Sequence, residues 1–216
     1  VASLLTFLFL ALLAMQAVRI WAVPSTGLAS QAEFATVLAV SAGLFWTAVF
    51  YPALMSEDSV TQWRQASTGQ YGNWHPPLMA LLMHASQRAT QSPALLAAVQ
   101  GAVFWSAIFS ALFVSIRSAR LRLVSYAVIL ANPALWTCSA VLWKDVWTAS
   151  FTALAIGPLV RAIRRSSSAD LLAGTLCIAV AVCFRQNAAT LAVVPVVIGT
   201  FFLWRLHAFG RKIVRG

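Results

Sequence analysis

Acidic side chains are almost missing from this chain: five Asp and Glu in 216 residues, against fifteen Lys and Arg. Charge of either sign makes up only 9% of the sequence, where a soluble domain carries roughly a quarter. That poverty excludes a soluble enzyme and a disordered tail, both of which need charge to stay hydrated. Cysteine is scarce too. Cys138, Cys177 and Cys183 lie within or beside apolar runs, are odd in number and match no metal-ligand spacing, so they read as small buried hydrophobes and zinc is disfavoured. Also absent are an internal repeat, a low-complexity linker and an inverted pair of Gly/Pro-broken spans of the transporter kind. Residues 1–216 therefore read as one domain. The first apolar stretch has no basic segment before it, and Arg19 follows it, so it does not read as a cleaved leader.

What is present is apolar: 61% of the residues are hydrophobic and the mean hydropathy is +0.82. The net charge of +10 would suit a nucleic-acid binder. Here, however, the cations sit in small clusters between long apolar runs, a spacing that encodes membrane topology and excludes nucleic acid as partner. The chain reads as an all-α integral membrane protein.

A bilayer core needs roughly 20 apolar helical residues to cross. Seven segments approach that length: Ser3–Arg19, Phe34–Leu54, Ala94–Ile116, Leu123–Leu142, Val146–Val160, Leu171–Phe184 and Ala188–Trp204. The apolar stretch Pro76–His84 is too short and reads as an interfacial or re-entrant helix. With that stretch kept on one side, eleven cations share one membrane face: Arg19, Arg117, Arg120, Arg122, Arg161, Arg164, Arg165, Arg205, Arg211, Lys212 and Arg215. Four, Arg64, Arg88, Lys144 and Arg185, fall on the other. If Pro76–His84 crossed, most of this bias would vanish, so the non-crossing arrangement is predicted and the richer face is cytoplasmic.

The outer face then collects Glu57, Asp58, His75, Lys144, Asp145 and Arg185, followed by Gln186 and Asn187, whereas Glu33 and Asp170 fall inside. Ionisable groups at membrane depth are expensive and their default reading is functional. Within the proposed spans, Gln16 and His84 stand out as the strongly polar residues.

The richest segment is Tyr51 to Gln65. Pro52 disturbs the end of the second span, and Ser56 is placed to N-cap a short helix with Glu57 and Asp58 in its first turn. On such a helix Asp58, Gln62 and Gln65 share one face, predicted polar and turned toward a cavity, while Val60, Trp63 and Ala66 offer an apolar side. The alternative is that the two acids only complement the helix N-terminus. Downstream, His75 precedes Pro76-Pro77, a stiff helix start, and serves either as a site residue or as an interfacial cap between Tyr71 and Trp74. Lys144-Asp145 reads either as part of a site or as a plain ion pair. Arg185 either binds an anion or snorkels from its span.

Taken together, Tyr-Pro-x-x-x-Ser-x-Asp-Ser-x-x-Gln from Tyr51, Trp-His-Pro-Pro-Leu from Trp74, Leu-Trp-Lys-Asp from Leu142 and Arg-Gln-Asn from Arg185 resemble the GT-C superfamily of membrane glycosyltransferases. The likeness is nearest to the bacterial branch that uses polyprenyl-phosphate sugars, beside protein mannosyltransferases and aminoarabinose transferases, and runs from about Phe34 to Trp204. It implies about seven transmembrane helices with an outer amphipathic helix, in a bacterial cytoplasmic membrane with the active site on the periplasmic face. By the same resemblance Asp58 is the catalytic base and Asp145 a second acid, with Glu57 and His75 beside them. Lys144, Arg185 and Arg64 would hold the lipid phosphate, and Gln62 and Asn187 would contact substrate. The partners implied are a polyprenyl-phosphate sugar donor, membrane lipids and a glycan, lipid or protein acceptor. Family members usually carry further spans or an outer domain after this module, so the chain reads as a short or truncated version of it.

The chemistry agrees with the residues. Moving a sugar from a lipid phosphate to a hydroxyl needs a carboxylate to take the acceptor's proton and positive charge on the departing phosphate. Single displacement inverts the anomeric carbon. Metal use is left open: Glu57, Asp58, Asp145 and His75 are the residues that could ligate a divalent cation such as Mg or Mn, chiefly through oxygen. The competing class is a transporter, flippase or accessory subunit that handles lipid-linked glycans without catalysis. A transporter places ionisable groups near mid-membrane, and here they crowd at one face.

Overall fold

The structure, a computed structural model, describes residues 28–72 and 76–201. The predicted first span Ser3–Arg19, His75 and the basic tail from Arg205 lie outside the described residues. Those described are helical and form no strand: α1 (Leu28–Val49), α2 (Glu57–Thr68), α3 (Leu78–Thr90), α4 (Ala94–Ser115), α5 (Ala119–Leu130), α6 (Pro133–Ala140), α7 (Lys144–Arg165) and α8 (Ser168–Phe184). A 3₁₀ turn, Gln186–Ala192, continues into a helix over 193–201.

Three of these helices are long and apolar enough to cross a membrane: α1 over Ala32–Val49, α4 and α7. The 22 residues of α4 or α7 rise about 33 Å, close to the hydrocarbon thickness. The chain is thus built as a membrane protein. Among the described residues the expectation of seven straight spans is met only in part: α8 is apolar but shorter, and the last predicted span, Ala188–Trp204, extends past residue 201, where the described residues end. The predicted span Leu123–Leu142 is instead broken into α5 and α6, bent by 68°. The cause is local. Pro133 has no N–H and cannot continue α5, while Asn132 caps the new helix by accepting from Ala134 N at 3.0 Å. The second span also stops earlier than predicted, at Val49, with a turn and Pro52 following.

Small residues set the helix packing. α1 and α4 run antiparallel and touch at Gly43 and Gly101, where a Cβ on Gly43 would lie 2.5 Å from the Ala102 nitrogen. Close backbone approach of this kind replaces the hydrophobic drive that lipid removes. α8 lies antiparallel to α7, with Leu159 against Gly174 and Thr148 Oγ1 3.4 Å from Ala181 O. α4 and α7 are parallel: Leu96, Ala97 and Trp147 share one buried cluster, and Gly157 sits beside Val114 further down.

These directions fix the ends of the bundle. The C-termini of α1 and α8 and the N-termini of α4 and α7 gather at one end, together with α2 and α3. Because α1 arrives and α4 departs at that same end, α3 does not cross. Glu57, Asp58, Arg64, Arg88, Lys144, Asp145 and Arg185 belong to this end. Glu33, Arg117, Arg120, Arg122, Arg161, Arg164, Arg165 and Asp170 belong to the opposite one. Beneath the first end lies a core of Met79, Met83, Leu142, Trp147 and Phe184, in which the Trp147 and Phe184 rings stack at 5.2 Å.

Candidate functional site

The first end is organised by one extended piece of chain, Val141-Leu142-Trp143, between α6 and α7. Leu54 pairs with it as a short parallel bridge, donating to Ala140 O at 3.2 Å and accepting from Leu142 N at 2.9 Å. Gln100, fully buried in α4, binds the same piece from the other side. Its Nε2 donates to Val141 O at 2.6 Å and its Oε1 accepts from Trp143 N at 3.3 Å. Ser59 Oγ donates to Leu142 O, and Trp143 Nε1 donates to Ser56 Oγ at 2.6 Å. A segment that leaves helical geometry inside an apolar bundle must have its amides paired, and here two helices and a loop pair them.

Ser56 is the N-cap of α2, accepting from Ser59 N at 3.3 Å. Capping and the bridge together hold Asp58 over the start of α7. There Lys144 Nζ donates to Asp58 Oδ2 at 3.3 Å. Lys144 is a cation in the first turn of its helix, where the dipole disfavours positive charge; the Asp58 carboxylate offsets that. The next residue, Asp145, suits the helix N-terminus and accepts from Arg185 Nη1, at the end of α8. Four sequence-predicted residues therefore form an alternating run, Asp58–Lys144–Asp145–Arg185, assembled from three helices. Lys144 is largely covered at 13% exposure, whereas Asp58 remains open at 57%. Asp145 and Arg185 are half-exposed.

The other predicted site residues stand apart from this run. Glu57 and Arg64 are exposed on α2. Asn187 is exposed in the 3₁₀ turn two residues past Arg185, where its carbonyl accepts from Thr190 Oγ1 at 3.2 Å. Gln62 is 2% exposed, and its Nε2 has no hydrogen-bond partner among the described residues. The predicted faces of α2 need correction. The buried face is Ser59, Gln62 and Ala66, and Val60 stays 47% exposed. Trp63 and Ala66 do pack into the apolar core as expected, while the docking of Ser59 onto the Leu142 carbonyl turns Gln62 inward and leaves Val60 outside. His84 is hydrogen-bonded, with Nδ1 2.8 Å from Ala66 O, and this ties α3 to α2.

Among the described residues no three His, Cys, Asp or Glu side chains come together as a metal-binding group. Asp58 and Asp145 face cations. Gln100, Ser59 and Trp143 were not among the sequence-predicted site residues. The expectation that Gln16 and His84 were the notable polar residues of the spans overlooked Gln100, whose signal was an amide inside an otherwise apolar helix. Comparison with known protein families, with curated proteins and with solved structures finds no match.

Proposed function

We propose that this chain is a membrane glycosyltransferase of GT-C type, moving a sugar from a polyprenyl-phosphate donor to an acceptor hydroxyl. The observation that carries the reading is the run Asp58–Lys144–Asp145–Arg185, drawn from three helices to one end of an apolar bundle. In the reaction the acceptor oxygen attacks the anomeric carbon as the bond from that carbon to the phosphate oxygen breaks. Asp58, the open carboxylate, takes the acceptor's proton. Lys144 and Arg185 stabilise the negative charge gathering on the departing lipid phosphate. A donor anchored by its tail presents its phosphate at headgroup depth, which is where a site at the end of the bundle meets it. In this reading the site faces the periplasm from a bacterial cytoplasmic membrane, and the arginine-rich opposite end supports that orientation. The acceptor is a glycan, lipid or protein hydroxyl of the cell envelope.

A transporter or flippase is less favoured. In α1, α4 and α7 the ionisable residues lie within two turns of a helix end, and the one buried amide of α4, Gln100, is consumed by the 141–143 segment. Among the described residues, these three helices offer a solute no charged path through mid-membrane.

The test measures sugar transfer in vesicles carrying the purified chain, supplied with labelled polyprenyl-phosphate hexose or pentose and a mixed envelope-glycan acceptor. Wild type transfers label; Asp58→Asn, present at equal amount and equally folded, does not. Equal transfer by both proteins, or none by wild type with any donor, overturns the reading.

A further inference from the structure

The opposite end of the bundle holds a second site that the transfer chemistry does not use. A cavity of about 290 Å³ lies between α1 and α4 and is closed on the α7 side by Arg161. Ala32, Ala35 and Thr36 form one wall, Ser106 and Ser110 the other, and Phe113 lies at its end. The donors that line it differ in availability. Thr36 Oγ1 donates back to Ala32 O at 2.9 Å and Ser110 Oγ to Ser106 O, so both protons serve their own helices. Arg161 binds Asp170 through Nε at 2.9 Å. That geometry leaves its Nη groups, with the Ser106 hydroxyl, as the donors at the cavity. Phe113 is covered on one side by Arg122, whose guanidinium carbon lies 4.3 Å above the ring and whose Nη1 donates to Phe113 O at 3.2 Å.

We propose that this cavity binds the phosphate diester of an anionic phospholipid at the arginine-rich face of the membrane. Three observations support an anionic headgroup with attached tails. A guanidinium offers paired N–H groups suited to phosphate oxygens. Besides Arg161 and the apolar Phe109, Phe113 and Val114, the cavity is lined by small residues, none of them acidic, so none competes for the anion. The outward side of α1 beyond the cavity is apolar and exposed at Val37, Val40 and Leu44, a surface for acyl chains. Basic pockets between membrane helices on the positive side are a recurrent mode of lipid headgroup recognition. The proposal is independent of the glycosyltransferase reading, because it uses no residue of that site.

The experiment follows the thermal stability of the full chain in neutral detergent as phosphatidylglycerol is titrated in, with phosphatidylethanolamine, inorganic phosphate and glycerol 3-phosphate in parallel arms. Phosphatidylglycerol raises the melting temperature saturably and the other three do not. Arg161→Gln weakens the apparent affinity about tenfold, the loss of one charge-assisted contact. Asp170→Asn removes the same ion pair but keeps the guanidinium, and retains the phosphatidylglycerol response. Arg164→Gln, a neighbouring charge outside the cavity, retains it also. Equal stabilisation by inorganic phosphate overturns the lipid as occupant, and equal stabilisation by phosphatidylethanolamine overturns anion recognition. Loss of the response in Asp170→Asn or Arg164→Gln to the extent seen in Arg161→Gln overturns the assignment to the cavity.

Discussion

The two ends of the bundle both carry ion pairs, yet they are built differently. At the arginine-rich end, Arg161 and Asp170 belong to adjacent helices joined by a short turn, nine residues apart in sequence. At the other end, Asp58 reaches Lys144 across 86 residues and Arg185 reaches Asp145 across 40. About 24 Å of helix α7 separates the two ends. A hairpin pair forms wherever two helices turn back on each other. A pair between distant segments requires the whole fold to be in place, and here buried hydrogen bonds from Gln100 and Ser59 hold that placement. The first kind of pair marks a turn, and the second marks an assembled site.

Substitutions can break or sharpen this contrast. Asp58→Asn has the largest expected effect, a fall in sugar transfer of about 10²–10⁴-fold, the usual contribution of a general base, with unchanged protein in the membrane. Gln100→Leu follows. It leaves Val141 O and Trp143 N without partners, so unfolding in detergent should show about 2–3 kcal/mol of lost stability, and transfer should fall as Asp58 and Lys144 lose register. Gly43→Ala acts on the bundle away from both ends. Its Cβ would press on the Ala102 backbone, costing about 1–3 kcal/mol in the same unfolding assay, while transfer per folded molecule stays near wild type. If Gly43→Ala suppressed transfer as strongly as Gln100→Leu, the special role of the 141–143 clasp would fail.

The smallest effect is expected at Asp170. It precedes the apolar stretch of α8, and its hydrogen bond with the Arg161 guanidinium holds the carboxyl below the ordinary Asp value. A lowered carboxylate pKa contributes stability above the unfolded-state value, and that contribution disappears as pH falls through the folded one. Melting curves of wild type and Asp170→Asn should therefore differ slightly at neutral pH and converge in acid, with transfer unaffected at neutral pH. A large neutral-pH loss of transfer would mean that the two ends are coupled.

Much of the fold was legible in the residues because bilayer chemistry is restrictive. Apolar length marked α4 and α7, and the arginine clusters marked their ends. Charge bias placed α3 on one side, and Ser56 announced the start of α2. What escaped was nonlocal. The Asn132-Pro133 signal for a break was present, but the apolar run around it argued for continuity and the break prevailed. Hydropathy placed Trp63 and Ala66 of α2 against the core but not Val60 and Gln62, because a serine–carbonyl bond to a residue 83 positions away also bears on the rotation. The partnership of Leu54 with Val141 left no local pattern at all. That Asp58, Lys144, Asp145 and Arg185 share one end of the bundle was readable, but who faces whom was not.

That pairing bears on how this end of the bundle meets a membrane full of phospholipids. Asp58, Lys144, Asp145 and Arg185 carry formal charges that sum to zero, each positive group already facing a negative one. An incoming phosphate therefore meets no bare cation within this run. It has to trade places with a carboxylate, and common headgroups that gain nothing else from the exchange are left outside. On the proposed reading, a donor that also brings contacts to its sugar and tail makes the trade favourable and, in doing so, unshackles the carboxylate proposed as the base.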